Sequence, residues 1–305
     1  MSAQFRAIGI APTRIDGILA KSLSYDEKLA VSTPFCASHC PYGALGVTIA
    51  HVNAWKQAAR YNEPILICED DVVFAPNFIS KCKEAIESAP EWDIIYPGCL
   101  MCHDVPLLPD LALRLAGTRN TPELINDYLW KPPYLFGAHC YILSPRGVRK
   151  LLHLGKIPMQ IDVWLNHLSH SYLQSFALRT LVASQEVSLV RGGSSVIDSA
   201  IPTFVNGLLE TVRIAPEISA AYGLTFPFVR FGDYTVNTWT FLFLVYGFAC
   251  RLFGLSLGTT LLLAGSVMGP DILHVKHAVA IALVLCAIGY TISGFGDENR
   301  FKYPD

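Results

Sequence analysis

The stretch that most restricts the fold is Ile65-Leu66-Ile67-Cys68-Glu69-Asp70-Asp71. Four apolar residues in a row belong inside a sheet, whereas three carboxylates need water or a cation. The chain passes from one environment to the other in a single step, so this point is expected at the rim of a sheet. Like charges this close repel unless something positive sits beside them. In an extended backbone, residues i and i+2 project to the same side, so Glu69 and Asp71 are expected to face one pocket. Open α/β sheets bind ligands at the carboxyl ends of their strands, where these acids stand. A hard divalent cation bridging to substrate phosphates suits such a place, and as a Lewis acid it would neutralise a leaving diphosphate. The same residues also fit a solvated acidic turn ahead of the next helix, and taken alone they leave both outcomes open.

The surrounding pattern alternates helix and strand. Gly43 to Tyr61 is helical, with Val47, Ala50, Ala54 and Ala58 on one stripe and His51 and Trp55 one turn apart beside it. Asn62-Glu63-Pro64 stops it. After the acid-tipped strand, Pro76 to Ser88 is a second helix and Asp93 to Tyr96 a second strand. His139 to Leu143 is a third strand, and Ser144-Pro145 opens a helix to about Leu154, with Ser as N-cap and Pro in the first turn. Ile161 to Tyr172 follows as a helix and Thr180 to Ala183 as a fourth strand. Such alternation predicts an α/β domain with a largely parallel sheet.

From Tyr234 to Pro270 the only charged side chain is Arg251, and Ala278 to Phe295 has none. Leu252 to Gly269 and Ala278 to Phe295 each approach the length that crosses a hydrocarbon core about 30 Å thick. Two C-terminal transmembrane helices are therefore expected, with Trp239 to Cys250 a possible third. That makes the chain a multi-pass membrane protein in contact with lipid. The N-terminus, MSAQFRAIGIAPTRIDG, has no apolar h-region, so no signal peptide is expected and the catalytic domain is placed on the cytosolic side. In that compartment the nine cysteines are expected as free thiols. Cys36/His39/Cys40 and Cys99/Cys102/His103 offer zinc-type donors, but their spacings differ from common zinc modules, which favours plain packing. A net charge of -2 leaves no basic footprint, and no nucleic-acid partner is expected.

Residues His51 to Phe74, HVNAWKQAARYNEPILICEDDVVF, resemble the glycosyltransferase family 25 signature. That signature has a Gly, a Ser-His pair, a Trp and an apolar strand ending in Glu-Asp-Asp. Further pieces agree in order: Arg14-Ile15-Asp16-Gly17, Trp92-Asp93-Ile94-Ile95, Gly137 to Ser144 with Gly147, Asp162 in Ile161-Asp162-Val163-Trp164-Leu165, and Gln185 with Ser194-Ser195. Ala50 stands where the family has Ser. The family's first, nucleotide-holding strand is either absent or replaced by Phe5 to Ile10. The resemblance covers about residues 5–200.

The resemblance implies a GT-A-like, mostly parallel sheet with flanking helices and a nucleotide-sugar donor, with Mn²⁺ or Mg²⁺ on the acidic motif. Asp71 would be the main metal ligand. Glu69 and Asp70 would support the metal or the donor ribose, and His51 would border the donor pocket. Asp162 would be the general base toward the acceptor hydroxyl, although a place in a helix N-terminus suits it as well. The expected organisation is a catalytic domain over 1–200, a connector over 201–235 and membrane helices over 236–305. The expected function is metal-dependent transfer of a hexose to a glycan or glycolipid at a membrane. A polyprenyl phosphate acceptor, or a non-catalytic tethered binding protein, are the alternatives.

Overall fold

The computed structural model describes residues 2–103, 110, 114, 119–185, 213–215, 218–219, 227–232, 234–268 and 276–294. The chain divides into two compact units, Met1–Ser194 with Ala215–Glu217, and Ser195–Ile214 with Ile218–Asp305. In the first unit, helices α1 (Ser2–Ala7), α2 (Tyr25–Leu29), α3 (Pro34–His39) and α4 (Tyr42–Ala58) precede strands β1 (Ile65–Cys68) and β2 (Val72–Phe74). Then come α5 (Phe78–Ser88), β3 (Ile94–Tyr96), β4 (Glu123–Leu124), β5 (Leu129–Lys131), β6 (Cys140–Leu143), α6 (Pro145–His153), α7 (Ile161–Ser171), β7 (Ser175–Leu178) and β8 (Ala183–Gln185). The helix starts follow local chemistry. Ser144 Oγ accepts the Gly147 N–H at 3.0 Å with Pro145 in the first turn, and Thr33 caps α3 ahead of Pro34 in the same way.

Six strands form one sheet in the order β1-β6-β3-β7-β5-β4. The expectation of a mostly parallel sheet is corrected. Only β3 and β7 run parallel, while β1/β6, β6/β3, β7/β5 and β5/β4 are antiparallel. The apolar runs at β3 and β6 are buried on both faces. A doubly covered strand looks the same in sequence whichever way its neighbour runs. The fourth expected strand, at Thr180 to Ala183, is displaced: β7 occupies Ser175–Leu178, and Ala183–Gln185 pairs with β2 outside the main sheet. Phe5 to Ile10 does not supply the nucleotide-holding strand, since Ser2–Ala7 is helical and Phe5 packs edge-on against Phe74.

Alternate strand residues feed two cores. Ile67, Tyr96, Tyr141 and Leu143 pack with Val52, Trp55 and Ala58 of α4. Cys140, Ile142, Ile95 and Phe176 pack with Phe78, Cys82 and Ala85 of α5. The start of the interior strand β3 is tied to α6 through Asp93, whose fully buried carboxylate accepts from Arg146 Nε at 2.6 Å, Lys150 Nζ at 2.6 Å and the Gln174 N–H at 2.8 Å. Cys36 is disulfide-bonded to Cys40 and Cys99 to Cys102, which corrects the expectation of free thiols for these four. Cys68, Cys82, Cys140, Cys250 and Cys286 are free.

In the second unit, the hairpin Pro227–Phe231/Tyr234–Asn237 leads into α8 (Thr238–Leu252), where Asn237 and Thr240 form a reciprocal cap, then α9 (Leu257–Met268) and α10 (Lys276–Gly294). Among the described residues no helix is long and apolar enough to cross a membrane. This overturns the expected C-terminal transmembrane helices, and with them the expected multi-pass membrane location. The block that looked continuous is interrupted. The chain turns at Phe253-Gly254, with Gly254 at φ 74°, so the segment expected from Leu252 to Gly269 keeps only the 12 residues of α9. Spanning a bilayer takes about 20. The helices instead pack on one another through Phe243, Ala264, Val279, Ala282 and Cys286. Gly247 lies against the Cys286 backbone and Gly289 against that of Leu244, so neither position has room for a Cβ.

Candidate active site

The acids lie where β1 ends. The β1/β6 ladder pairs Ile67 with Tyr141 and Cys68 with Cys140, and the Glu69 N–H then donates to the His139 carbonyl at 2.8 Å. This register sets Glu69, His139 and Tyr141 on the α4 face of the sheet. Two residues of α4, one turn apart, meet them there. His51 Nδ1 is 2.8 Å from the Tyr141 hydroxyl and His51 Nε2 is 3.4 Å from Glu69 Oε1. Trp55 Nε1 donates to the same hydroxyl at 2.8 Å. The Tyr141 oxygen thus joins the helix to the strand.

After Glu69 the chain turns through Asp70 into β2. Asp70 is exposed, whereas Glu69 and Asp71 are half-buried. Strand β8 pairs Gln185 with Val72, next to Asp71. From there Gln185 Nε2 donates to Glu69 Oε2 at 3.3 Å and to Asp71 Oδ2 at 3.2 Å. One amide therefore bridges the two carboxylates. Asp71 Oδ1 is buried with no hydrogen-bond partner among the described residues. Asp162, in the first turn of α7, accepts the Ala138 N–H at 2.8 Å, one residue before His139.

The charges press on one another. Burial would raise the Glu69 carboxyl, but the hydrogen bond and charge of His51, then His139 and Gln185, hold it below the usual carboxylate range. Asp71 is pushed up to about 6 by burial and by the negative charge of Glu69, against the Gln185 hydrogen bond. Asp162 is also pushed up to about 6, by burial and by Glu69, against the Ala138 N–H. Burial lowers His139 to about 4, so its imidazole is neutral near pH 7. Glu69 acts electrostatically on Asp71, Asp162 and His139 alike, which makes this one site rather than four separate features.

Of the expected site residues, His51, Glu69, Asp71 and Asp162 come together, while Asp70 faces solvent. Arg14 and Asp16 form an exposed ion pair with each other at 3.3 Å. No set of three or more His, Cys, Asp or Glu side chains among the described residues is arranged to hold a metal, which also leaves both Cys/His clusters without a zinc site. Glu69 and Asp71 nevertheless suit a cation that keeps most of its coordination for substrate. They are hard oxygen donors, they repel each other, and one oxygen is buried and unpaired. Mg²⁺ is commonly held by one or two carboxylates with substrate phosphates completing its shell.

The model of "Glycosyltransferase family 25 (LPS biosynthesis protein)" matches residues 1–165, more than half of the chain. The chain belongs to glycosyltransferase family 25. A "Glycosyltransferase 25 family member" from Aedes aegypti is 25% identical over 203 residues, which are 60% of this chain and 31% of the relative. The chain thus spans about a third of the length of that curated relative. The family match contains His51, Glu69, Asp71, His139 and Asp162, whereas Gln185 lies beyond it. Gln185 was visible in sequence only as part of a closing segment, because the β2/β8 pairing that carries it to the acids joins residues more than a hundred positions apart. In the sequence His139 and Tyr141 stand out only as strand residues and as part of the Gly137 to Ser144 segment of the resemblance, with no site role. Their i, i+2 spacing, set against Glu69 in the neighbouring strand, was the available signal.

Proposed function

We propose that this family 25 member is a metal-dependent glycosyltransferase that moves a hexose from a nucleotide-sugar donor to a hydroxyl of a glycan or glycolipid acceptor. The observation that carries this is the bridged acid pair, Glu69 and Asp71 sharing the Gln185 amide while Asp71 Oδ1 stays buried and unpaired. A bound Mn²⁺ or Mg²⁺ would supply Lewis-acid neutralisation of the donor diphosphate. Glu69 and Asp71 would hold it, and Gln185 would fix their separation. His51 keeps Glu69 ionised and in place, itself positioned by the Tyr141 hydroxyl. Asp162 is the proposed general base. Its carboxyl, pushed up to about 6, is ionised at pH 7 yet more basic than an exposed aspartate, which suits it to taking a proton from an attacking hydroxyl.

A donor screen tests this. The purified chain is incubated with a panel of nucleotide sugars, with and without Mn²⁺, and nucleotide release is measured. Release that requires Mn²⁺ and vanishes in Asp71→Asn supports the assignment. Release unchanged in that variant removes the metal role. No release, and no nucleoside diphosphate binding with Mn²⁺ present, favours a non-catalytic binding protein.

A further inference from the structure

One rung below Glu69, on the α5 face of the sheet, two thiols stand against each other. Cys68 and Cys140 are register partners in the β1/β6 ladder, and their Sγ atoms are 3.5 Å apart. The next rung joins the Glu69 N–H to the His139 carbonyl, so the Cys68/Cys140 rung is a non-hydrogen-bonded one. Opposed Cα atoms in such a rung lie about 4.5 Å apart, within the range a disulfide spans. The backbone is therefore already in place, and a bond needs only side-chain rotation to bring the sulfurs to about 2.05 Å. The two thiols differ in access. β1 is an edge strand and Cys68 is half-buried, whereas Cys140 is fully buried. A third thiol, Cys82 of α5, is buried in the same apolar core. The same unit already holds the disulfides Cys36–Cys40 and Cys99–Cys102, and all four of those cysteines are buried.

We propose that Cys68 and Cys140 form a redox modification site, a dithiol that a low-molecular-weight disulfide such as glutathione disulfide converts to a cross-strand disulfide. The exchange runs in two displacements. The accessible Cys68 sulfur attacks one sulfur of the oxidant, the oxidant's S–S bond breaks, and one thiol leaves. The Cys140 sulfur then attacks Cys68 Sγ, the mixed disulfide breaks, and the second thiol leaves. Two electrons pass from the protein pair to the oxidant, and the two protein thiol protons end on the two departing thiols. The new bond clasps the end of the edge strand to β6, at the rung next to the one that sets Glu69. A reductant reaches Cys68 more readily than the buried sulfurs of the other two disulfides, so this bond is the one that opens under mild reduction. The inference is independent of the glycosyltransferase reading, because it concerns the strand whatever the acids above it bind.

The test equilibrates the full chain in glutathione buffers of graded oxidised-to-reduced ratio. Samples are quenched in acid, unfolded, alkylated and mapped by peptide mass spectrometry. The expected result is a Cys68–Cys140 linked peptide that accumulates as the ratio rises. It should disappear in mild reductant while Cys36–Cys40 and Cys99–Cys102 persist. Cys140→Ala should stop the reaction at a glutathione adduct on Cys68, and Cys68→Ala should leave Cys140 reduced. Cys82→Ala should still form the link. Because the bond joins residues 72 positions apart, the oxidised chain should melt higher than the reduced one, by roughly 4–16 °C. Amide hydrogen exchange in a peptide covering Ile65 to Asp71 should slow in the oxidised chain. A wild-type chain whose Cys68 and Cys140 are both alkylated at every ratio overturns the proposal. So does one in which Cys68 keeps its glutathione adduct, or links to Cys82 instead. A Cys68–Cys140 link that changes neither melting temperature nor exchange would overturn the clasp.

Discussion

Replacing Asp71 with Asn should make the metal-free protein more stable while abolishing its cation dependence. In the folded chain the Asp71 carboxyl is pushed up to about 6 from 3.8 by burial and by Glu69, so ionising it there is harder than in the unfolded chain. A shift of about two units at about 1.36 kcal/mol per unit is on the order of 3 kcal/mol. Partial access to solvent screens the repulsion and reduces this to roughly 1–2 kcal/mol. The sign follows from linkage. Below about pH 4 the carboxyl is protonated in both states and the substitution changes little. As pH rises from 4 through 6, the wild type loses this stability while Asp71→Asn does not, and above 6 the gap is constant. At about 2–4 °C per kcal/mol for a domain of this size, the variant should melt roughly 2–8 °C higher at pH 7.5 in EDTA. Asn retains an oxygen that can accept from Gln185, so the bridge need not break. Adding Mn²⁺ should raise the wild-type melting point, by about 2.7 kcal/mol of stabilisation at a hundred times Kd, and leave the variant unmoved. Scanning fluorimetry from pH 4 to 8, with EDTA and then Mn²⁺, makes the measurement. A variant that melts at or below wild type at pH 7.5, with no gap opening between pH 4 and 6, would refute the claim that Glu69 and Asp71 repel each other.

Tyr141→Phe removes the oxygen shared by His51 and Trp55, and leaving those buried groups unpaired should cost about 1–3 kcal/mol in urea unfolding. Asp162→Asn keeps an acceptor for the Ala138 N–H, so it should fold normally yet lose on the order of 10²-fold or more in transfer rate. In the active wild type, the rate should climb through about pH 6 and level off, as the raised carboxyl ionises. Asp93→Asn leaves Arg146 and Lys150 facing a neutral group, and denaturant titration should find the fold weakened by about 3–5 kcal/mol.

The acid-tipped strand was legible because its chemistry is local: apolar residues, then carboxylates, with alternation deciding that Glu69 and Asp71 look one way. The helix cap at Ser144 was legible for the same reason. Strand direction was not, because Ile94–Tyr96 and Cys140–Leu143 are covered on both faces and carry no mark of their neighbours. On α4 the stripe Val47, Ala50, Ala54, Ala58 is rotated from the true one. His51, Val52 and Trp55 are buried, because the helix packs against the sheet on one side and, through Leu45 and Ile49, against Ala20, Cys36 and Cys40 on another. The C-terminal block misled through composition alone. Absence of charge does not by itself make a run of residues a membrane span, and the turn at Gly254 shortens the segment expected from Leu252 to Gly269 without altering hydropathy. Gln185 and His139 depend on long-range pairing, which no local window holds.

The final rung of the β1/β6 ladder makes the strand a measuring stick. Because Glu69 is paired with His139, its inward aim is fixed by counting pleats from Ile65, not by any contact of its own. Adding or deleting a single residue between Ile65 and Cys68 would swap the roles of two neighbours, turning Asp70 inward and Glu69 out to water. The chemistry is therefore indexed to strand length.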